Sequence, residues 1–394
     1  MGKGHKWPTI VDPPISVGNL VLMLTTYGQQ VAFLIQHDIL SSTGLCYKCN
    51  NVITGQCIEK TNARYWKCKS CNVLTTARFG TVLYKSKLKL KNWILLAFCF
   101  IERNRTYAQT KAEASLPQEG YEDRTLSERT INRWFRFFRS LCRKDFRKNR
   151  VQLGGKGVIV EGDESLFGKM KFGRGSSKNR RRAWVFGMID RETRRMFVYV
   201  CPKDQKGNYK RTRRALMPMI IANVKQESLV LTDGWQAYRK MKEYGFDHRW
   251  VNHTLHYCDP DDPTINTNLI EGLWYQIKRW LPQSGCYNLE EYLELYQWFQ
   301  QQKHEGRHPF WRLLELIAES NEYDLVNEAQ KEEEPNVWAD NAEDEDEDDD
   351  REEVAEDYES DGDEHYWFDC AWCKDIYLDE NERDAHMEIC RMRT

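Results

Sequence analysis

The sequence has no apolar run of the roughly 18 to 20 residues that a membrane-spanning helix requires. Its first ten residues, MGKGHKWPTI, also lack the apolar segment of a secretory signal peptide. The 13 cysteines therefore do not indicate the disulfide framework of a small secreted protein, and we expect a soluble intracellular protein with no membrane partner. At 394 residues, with 41% hydrophobic and 12% aromatic side chains, the chain is long enough for two or three folded units.

Net charge is also nearly absent, but the value of −2 averages two different regions. Residues 332–364 contain 20 Asp or Glu and one Arg, out of 60 acidic and 58 basic residues in the chain. The remainder therefore carries 57 Lys or Arg against 40 Asp or Glu. A basic body with an acidic tail is typical of a polyanion-binding protein whose tail competes for the same surface. The alternative is a solubilising tail beside ordinary solvated faces.

Two pairs of cysteines near the N-terminus have the spacing of a structural zinc site. Two C-x-x-C turns, 18 residues apart, supply the thiolates of Cys46, Cys49, Cys68 and Cys71. Four thiolates close a tetrahedral shell and leave no position for water, so we expect a zinc ribbon. Cys57 lies between the pairs and is predicted to be a spare. Residues 64–67 (RYWK) are suited equally to nucleic-acid contact and to a solvated ribbon edge.

A second zinc site is predicted at the C-terminus. The candidate ligands are Cys370, Cys373, His386 and Cys390. Twelve and then three residues separate the last three, which is the pattern of a finger in which a hairpin and a helix each supply two ligands. Residues 375–393 include six acidic and three basic residues, so a protein partner suits this finger better than DNA phosphates do.

Between the ribbon and the central region, two helices are predicted. Residues 88–102 form a buried helix, and a second begins near Ser127, with Thr125 and Glu128 as a capping box. Its apolar residues recur at helical spacing and are expected to pack inward, while arginines occupy the remaining positions and are expected to face outward: Arg129, Arg133, Arg136, Arg139 and Arg143. This pattern predicts a helix-turn-helix unit that places Arg129, Arg133 and Arg136 against DNA phosphates. A plain amphipathic bundle helix gives the same pattern.

The central region contains strands that end in acidic residues. Residues 157–164 (GVIVEGDE) are followed by two more strands, at 181–190 and 194–202, joined by a short turn. Alternation places Ile159, Glu161 and Asp163 on one face of the first strand and Glu164 on the other. Then come a helix (214–224), a strand (229–232), a helix (235–244), a strand (249–253) and a helix (268–281). Antiparallel strands followed by alternating helices and strands predict an α/β, ribonuclease-H-like core.

This order of elements brings three acidic residues into one cleft. Asp233 closes a buried strand, Asp163 lies on the neighbouring central strand, and Glu271 lies on the last helix. Three carboxylates from separate elements are the ligands that two Mg²⁺ or Mn²⁺ ions require about 3.5 to 4 Å apart. Lys278 follows two helical turns after Glu271, about 10 Å along the axis, where it can hold a phosphate.

A cluster of basic residues follows the first catalytic strand. Its members are Lys169, Lys171, Arg174, Lys178, Arg180, Arg181 and Arg182, and the segment contains no acidic residue. Beside a phosphodiester cleft, this loop is predicted to bind the DNA backbone. The alternatives are a nuclear-localisation segment or a hairpin turn.

These motifs resemble those of DDE transposases of the Merlin superfamily and of their bacterial insertion-sequence relatives. The resemblance covers about residues 40–320 and rests on the four-cysteine segment followed by FGTVLYKSKLKLKNWI, on VEGDES, on TDGWQAY followed by VNHT, and on NTNLIEGLWYQIKRW. It implies metal binding by Asp163, Asp233 and Glu271, with assistance from Lys278. The implied activity is cut-and-paste transposition, in which the freed 3′-hydroxyl of the element attacks target DNA.

One departure from the family pattern is Asn266, where relatives commonly have His before the final acidic residue. Asn268 is an alternative third catalytic residue, because some relatives carry Asn in that role. His253 occupies the position of a family His after the fifth strand, either near the cleft or as a structural residue. The resemblance also implies terminal repeats and target DNA as partners, at least a homodimer, and a nuclear location.

The predicted organisation has five parts. Residues 1–84 hold the zinc ribbon, 85–150 the helical DNA-binding segment, 151–325 the catalytic domain, 326–365 an acidic linker and 366–394 the C-terminal finger. Two Mg²⁺ or Mn²⁺ and two structural Zn²⁺ ions are expected. Besides the transposase, two other functions fit the sequence: a domesticated DNA-binding protein that recruits partners through its tail, and a structure-selective nuclease that cleaves without joining ends.

Overall fold

The computed structural model describes most of the first 324 residues and two short segments near the C-terminus. The described ranges are 12–53, 57–60, 63–102, 106–115, 126–168, 182–251, 264–281, 288–324, 368–369 and 376–377. The chain divides into two units, residues 1–329 and 330–394. Within the described ranges, no helix combines the length and apolarity that crossing a membrane requires.

Two short helices and two small antiparallel sheets come first. Their bounds are α1 Val17–Met23, α2 Tyr27–Gln36, β1 Gly44–Leu45, β2 Val52–Ile53, β3 Cys57–Lys60, β4 Ala63–Lys67 and β5 Leu74–Thr76. Strand β1 pairs with β2, and the second sheet has the order β3-β4-β5. Each C-x-x-C pair lies in the turn that joins two antiparallel strands, β1 to β2 and β4 to β5.

Three helices follow, α3 Leu90–Ile101, α4 Tyr107–Ala114 and α5 Glu128–Lys148. Every residue of α3 is buried, in agreement with its apolar sequence. The predicted capping box at the start of α5 is wrong, because Glu128 is the first helical residue and Ser127 is the cap. The hydroxyl of Ser127 accepts a hydrogen bond from the Thr130 amide at 3.2 Å, while Thr125 lies outside the described residues.

A five-stranded sheet forms the centre of the first unit. Its elements are β6 Ile159–Phe167, β7 Ala183–Asp190, β8 Met196–Val200, α6 Arg213–Asn223, β9 Leu229–Asp233 and β10 Asp247–Val251. The strand order is β10-β9-β6-β7-β8. Strands β6, β7 and β8 are antiparallel neighbours, whereas β9 is parallel to β6 and β10 is parallel to β9.

One predicted helix of this region is wrong. Residues 235–244 form two 3₁₀ turns, Gln236–Tyr238 and Met241–Tyr244, instead of a regular helix. Tyr238 and Met241 are both fully buried in the core beneath the sheet, and Gly245 ends the second turn with φ = 85°. Anchoring two side chains in so short a connection favours separate turns over a continuous helix.

Three further helices complete the first unit, α7 Asn268–Trp280, α8 Leu289–His304 and α9 Pro309–Asp324. Helix α7 packs on one face of the sheet through Ile270, Leu273, Trp274 and Ile277, and α6 packs in the core of the opposite face. Helices α8 and α9 join α1, α2, α3 and α5 in a separate helical core. Side chains buried at its centre are Trp93, Phe138, Trp298 and Phe310.

Salt bridges between α5 and α8 correct part of the arginine pattern. Arg139 pairs with Glu291, and Arg143 and Arg147 pair with Glu294, whose side chain is 2% exposed. Arg139 and Arg143 were expected on the outer face of the helix. They lie instead against α8, because a second helix carrying acidic residues covers this side of α5.

In the second unit, two short strands are described. Strand β11 Phe368–Asp369 pairs antiparallel with β12 Ile376–Tyr377. The pair of strands flanks Cys370 and Cys373 in sequence. These cysteines, together with His386 and Cys390, lie outside the described residues.

Candidate functional site

Three carboxylates meet where β6 passes the end of β9. Asp163, Glu164 and Asp233 each offer an oxygen, and these oxygens all lie within 4.8 Å of one another. Pairing of β6 with β9 runs from Ile159↔Leu229 to Glu161↔Leu231, so Asp163 and Asp233 follow at the same level of the sheet. The structure thus brings together two of the three predicted acidic residues and adds Glu164.

Burial and repulsion from neighbouring acidic residues raise the pKa of the Asp163 carboxyl. The pKa of Asp163 is raised to about 7: burial is the largest cause, the hydrogen bond from Trp274 opposes it, and the charges of Asp233 and Glu271 act in the same direction as burial. The indole Nε1–H of Trp274 donates to Oδ2 of Asp163 at 2.8 Å. A buried carboxyl surrounded by other acidic groups is stabilised when a cation neutralises them.

Glu164 belongs to the opposite face of β6 but reaches the same point. The pKa of Glu164 is raised to about 8: burial is the largest cause, the hydrogen bond from Tyr238 opposes it, and the charges of Asp233 and Asp163 act in the same direction as burial. The hydroxyl of Tyr238, which is fully buried, donates to Oε1 of Glu164 at 2.6 Å. Strand β9 ends at Asp233, and among the described residues its pairing with β6 stops at Glu161↔Leu231. Asp163 and Glu164, from the two faces of β6, converge with Asp233 just beyond this level.

Helix α7 lies along β6 in a regular register. The backbone amides of Leu269 and Ile270 donate to Glu161, Trp274 donates to Asp163, and Lys278 donates to Ser165. Two strand residues advance about 6.6 Å and four helix residues about 6 Å, so contacts repeat at i, i+2 on the strand and i, i+4 on the helix. This near match fixes which helix positions face the acidic residues.

Glu271 and Lys278, the remaining predicted catalytic residues, both lie on α7. Glu271 is in the first turn, where its Oε1 accepts a hydrogen bond from the Thr267 hydroxyl at 3.1 Å. It is not in the group of three converging carboxylates, although its charge contributes to the raised pKa of Asp163. Lys278 Nζ donates to Ser165 Oγ at 2.8 Å and lies 5.3 Å from the centroid of the Phe167 ring.

A glycine on the neighbouring strand makes room for the Trp274 indole. Gly187 of β7 lies opposite Asp163 of β6. A Cβ atom on Gly187 would be only 2.5 Å from Cη2 of Trp274. Gly187 therefore permits the close packing through which Trp274 reaches Asp163.

The structure describes only some of the basic residues near Asp163, Glu164 and Asp233, which together are called the acidic group below. Arg211 stacks against Trp184 at 3.7 Å from the ring centroid and lies 5.2 Å from that of Trp235, and its charge lowers the pKa of Glu164. Arg182, at the start of β7, is exposed. The other loop residues predicted to bind DNA lie outside the described residues: Lys169, Lys171, Arg174, Lys178, Arg180 and Arg181. His253 is outside them as well.

The three arginines predicted to contact DNA from α5 are exposed. They are Arg129, Arg133 and Arg136. Because they precede the part of α5 that pairs with α8, they present positive charge to solvent on the first half of the helix. Their contact with DNA stays a prediction.

Four cysteines form a compact cluster in the N-terminal sheets. The sulfur atoms of Cys46, Cys49, Cys68 and Cys71 all lie within 4.8 Å of one another. The Sγ–Sγ distances are 3.4 Å for Cys46–Cys71, 3.6 Å for Cys49–Cys68 and 3.7 Å for Cys49–Cys71. A tetrahedral Zn²⁺ with sulfur ligands at about 2.3 Å has sulfur–sulfur edges of about 3.8 Å, so the cluster fits that ion.

The two cysteine turns have the same local geometry. In each, the residue after the second cysteine is an Asn with positive φ, 53° at Asn50 and 57° at Asn72. Its amide donates at 2.9 Å to the carbonyl of the first cysteine, from Asn50 to Cys46 and from Asn72 to Cys68. Asn tolerates this left-handed conformation, which lets both thiols of each turn point to one centre. Cys57 is outside the group, and its sulfur accepts from Arg64 at 2.6 Å.

The comparisons with known proteins address the central sheet. Residues 152–297 match the ISXO2-like transposase domain. The matched region includes β6 to β10, α7 and the first nine residues of α8, and therefore all the converging carboxylates. The match supports a DDE transposase family. No curated protein matches the chain.

Several residues of the site were not identified from the sequence. Glu164 directly follows Asp163, but alternation along the strand assigned it to the other face. Trp274 was noted only as a neighbour of Glu271 on the helix, and Tyr238 was placed in a helix that does not form. Adjacency to Asp163 was the one available signal for Glu164.

Proposed function

We propose that this protein is a metal-dependent DNA transposase that cleaves at the ends of a mobile element and joins the 3′-hydroxyl to target DNA. The observation that carries the proposal is the convergence of Asp163, Glu164 and Asp233 within 4.8 Å, inside a region that matches a transposase domain. The strand order β10-β9-β6-β7-β8, with β7 antiparallel to β6, supports a ribonuclease-H-like core. The sequence motifs resemble those of the Merlin superfamily, and we propose that the chain belongs to it.

The metal ligands proposed are Asp163, Asp233 and Glu271, with Glu164 as a further carboxylate. Hard carboxylate oxygens suit Mg²⁺ or Mn²⁺. Two bound divalent ions would activate the attacking water or hydroxyl and stabilise the leaving oxygen. Trp274 and Tyr238 hold the Asp163 and Glu164 carboxyls by hydrogen bonds at 2.8 and 2.6 Å. Glu271, in the first turn of α7, completes the proposed set of ligands.

The remaining residues supply substrate binding. Lys278 and Arg211 place positive charge beside the acidic group, where phosphates of the DNA strand would lie. The exposed arginines of α5 and the basic residues of the sequence up to Arg182 are proposed as further contacts to the DNA backbone. We propose double-stranded DNA of the element ends and the target as the substrate, and a homodimer or larger assembly that holds two ends together.

Two zinc ions are proposed as structural elements. The N-terminal four-cysteine cluster would hold one, and Cys370, Cys373, His386 and Cys390 the other. The acidic character of the C-terminal segment favours a protein partner for that finger. A nuclear location is also proposed, on the basis of the basic segments and of the DNA substrate.

The proposal is tested with Asp233→Asn in the full-length protein. The assay measures nicking of a labelled duplex from the ends of the encoding element, and its joining to plasmid DNA, with Mg²⁺ or Mn²⁺. Loss of one metal ligand should cost several kcal/mol in the barrier, which is more than about a hundredfold in rate. Asp247→Asn, an exposed residue at the far end of β10, is the matched control and should leave the rate unchanged.

Other outcomes distinguish the alternative functions. Near wild-type cleavage by Asp233→Asn would show that the metal assignment is wrong. DNA binding by the wild-type protein without nicking under either ion would support a domesticated DNA-binding protein, which the added C-terminal finger predicted from the sequence also favours. Cleavage without joining would support a structure-selective nuclease.

A further inference from the structure

A buried carboxylate outside the acidic group occupies the start of α7. Glu161 is 1% exposed and lies on the face of β6 that also carries Asp163. Its Oε2 accepts hydrogen bonds from the amides of Leu269 at 2.9 Å and Ile270 at 3.0 Å. These are two of the first amides of the helix, which have no carbonyl partner within it.

In most helices such amides are satisfied by the residue that precedes the helix. Here that residue is Thr267, which is suited to the task by its hydroxyl, yet its side chain does not cap α7. The Thr267 hydroxyl donates instead to Glu271 at 3.1 Å. Capping by Glu161 from another element therefore leaves Thr267 to orient the Glu271 carboxylate.

A second residue ties the same carboxylate to the segment before the helix. Arg191, in the turn between β7 and β8, donates through Nε to Oε1 of Glu161. Its Nη1 donates to the carbonyl of Thr264 at 2.6 Å, and its Nη2 to the carbonyl of Asn266 at 2.7 Å and to Asn266 Oδ1 at 2.9 Å. The guanidinium thus compensates the charge of Glu161 and fixes the backbone that leads into α7.

We propose that Glu161 is a positioning residue for the metal site and acts through the first turn of α7, with Arg191 as its partner. The inference rests on the proposed function. Glu161 lies two residues before Asp163 on β6, and the amides it binds lie one and two residues before Glu271 on α7. One carboxylate therefore connects the elements that carry two of the proposed ligands and sets the separation between them. A negative charge at this end of the helix is also favoured by the helix dipole.

Mn²⁺ binding to the full-length protein tests the proposal. The free ion is measured by electron paramagnetic resonance, so the readout does not depend on a DNA substrate. Glu161→Gln keeps the shape of the side chain and removes its charge. Residues that orient metal ligands typically contribute about 10- to 100-fold to metal affinity, and we expect a weakening of Mn²⁺ binding in this range. In the cleavage assay, the rate of this variant should recover at high Mn²⁺ concentration.

A matched control exists between α5 and α8. Glu294 is 2% exposed and is bound by Arg143 and Arg147, as Glu161 is 1% exposed and bound by Arg191. Glu294→Gln removes an equally buried charge from the helical core, away from the acidic group. It should lower the thermal unfolding temperature about as much as Glu161→Gln does, but change Mn²⁺ affinity less than about twofold. An equal loss of affinity in both variants would mean general destabilisation and overturn the inference.

Asp233→Asn separates this inference from the proposed function. If Asp233→Asn binds Mn²⁺ as the wild type does, the metal site is misassigned and both proposals fall. If Asp233→Asn loses binding while Glu161→Gln stays within about twofold of wild type, only the positioning role is overturned.

Should Glu161→Gln fail to fold, Arg191→Lys takes its place, since it keeps the positive charge but loses the Nη contacts to residues 264 and 266. It should weaken Mn²⁺ binding and accelerate hydrogen exchange of the Leu269 and Ile270 amides. Unchanged affinity in Arg191→Lys would overturn the role assigned to this pair.

Discussion

A single methyl group added to β7, the strand that pairs with β6 opposite Asp163, should impair the acidic site. In Gly187→Ala, the new Cβ would lie 2.5 Å from Cη2 and 3.2 Å from Cζ2 of Trp274. Carbon atoms in contact are separated by about 3.5 Å or more, so the indole has to move by about 1 Å. Trp274 is 5% exposed and packs edge-on against Phe167 at a centroid distance of 5.9 Å, which leaves little space on its other side.

The displacement affects both stability and the position of Asp163. Overpacking of a buried ring costs about 1–3 kcal/mol. The hydrogen bond from Trp274 to Asp163, 2.8 Å long, would lengthen to about 3.8 Å and no longer qualify as one. A displacement of about 1 Å in a catalytic arrangement lowers rates by up to about a hundredfold, so we expect cleavage to fall by about 10- to 100-fold.

The assay combines urea denaturation with Mn²⁺-dependent cleavage at saturating substrate. Gly162→Ala is the control, because it adds the same methyl group beside Asp163 on β6. There the nearest atoms are Cε and Cγ of Met188, at 3.2 and 3.3 Å, and this unbranched side chain can adapt. We expect Gly162→Ala to lose less than about 1.5 kcal/mol and to retain cleavage within about threefold.

The double variant Gly187→Ala/Trp274→Phe separates the steric effect from the hydrogen bond. Phe lacks the ring atoms that collide with the new methyl group, so stability should recover in part, whereas cleavage should stay low because the indole N–H is missing. Full stability and near wild-type cleavage of Gly187→Ala alone would refute the packing argument. Recovery of cleavage in the double variant would show that the indole hydrogen bond does not position Asp163.

Three other predictions concern separate parts of the molecule. Cys46→Ser should lose one equivalent of Zn²⁺ by mass spectrometry and unfold at lower temperature, whereas Cys57→Ser, outside the cluster, should keep full zinc content. Lys278→Met should reduce cleavage by about tenfold, because a contact to a DNA phosphate is lost. Arg279→Met, at the same exposed end of α7, should leave the cleavage rate unchanged. Equal losses in both variants would argue against a specific role of Lys278 in binding phosphate. His248 has a pKa lowered from 6.5 to about 4, first by burial and then by Lys242. Its contribution to stability is therefore complete above pH 6.5 and is lost as the pH falls toward 4, by at most about 3 kcal/mol. His248→Gln should flatten the dependence of urea midpoints on pH in that window, and an unchanged slope would contradict the assignment.

Local patterns were sufficient where neighbouring residues decide the structure. The spacing of the two C-x-x-C pairs predicted a four-cysteine cluster, and the structure contains one, because each pair needs only a tight turn to present both sulfur atoms. Strands that carry Asp163 and Asp233 were predicted from apolar runs followed by acidic residues; β9 ends at Asp233, whereas β6 continues past Asp163 to Phe167. Parallel pairing of β6 with β9 then brings the two together.

Local patterns failed where the outcome depends on distant elements. Arg139 and Arg143 were expected on an exposed face, because nothing in the sequence of α5 shows that α8 returns to cover it with Glu291 and Glu294. The helix predicted at residues 235–244 was wrong, since burial of Tyr238 and Met241 decides the shape of that connection. Both errors arise from contacts between residues far apart in the chain.

The sequence by itself identified the candidate residues: the paired cysteines, Asp163 and Asp233 on two strands, and the amphipathic helix with Glu271 and Lys278. Only the tertiary structure decided how these residues are held. It brought Glu164 to the acidic group from the opposite face, seated Trp274 over Gly187, and capped α7 with Glu161 from β6. Periodicity along a strand or helix encodes the face on which a side chain lies, but the distance between two faces is set by packing, and no single segment contains that information.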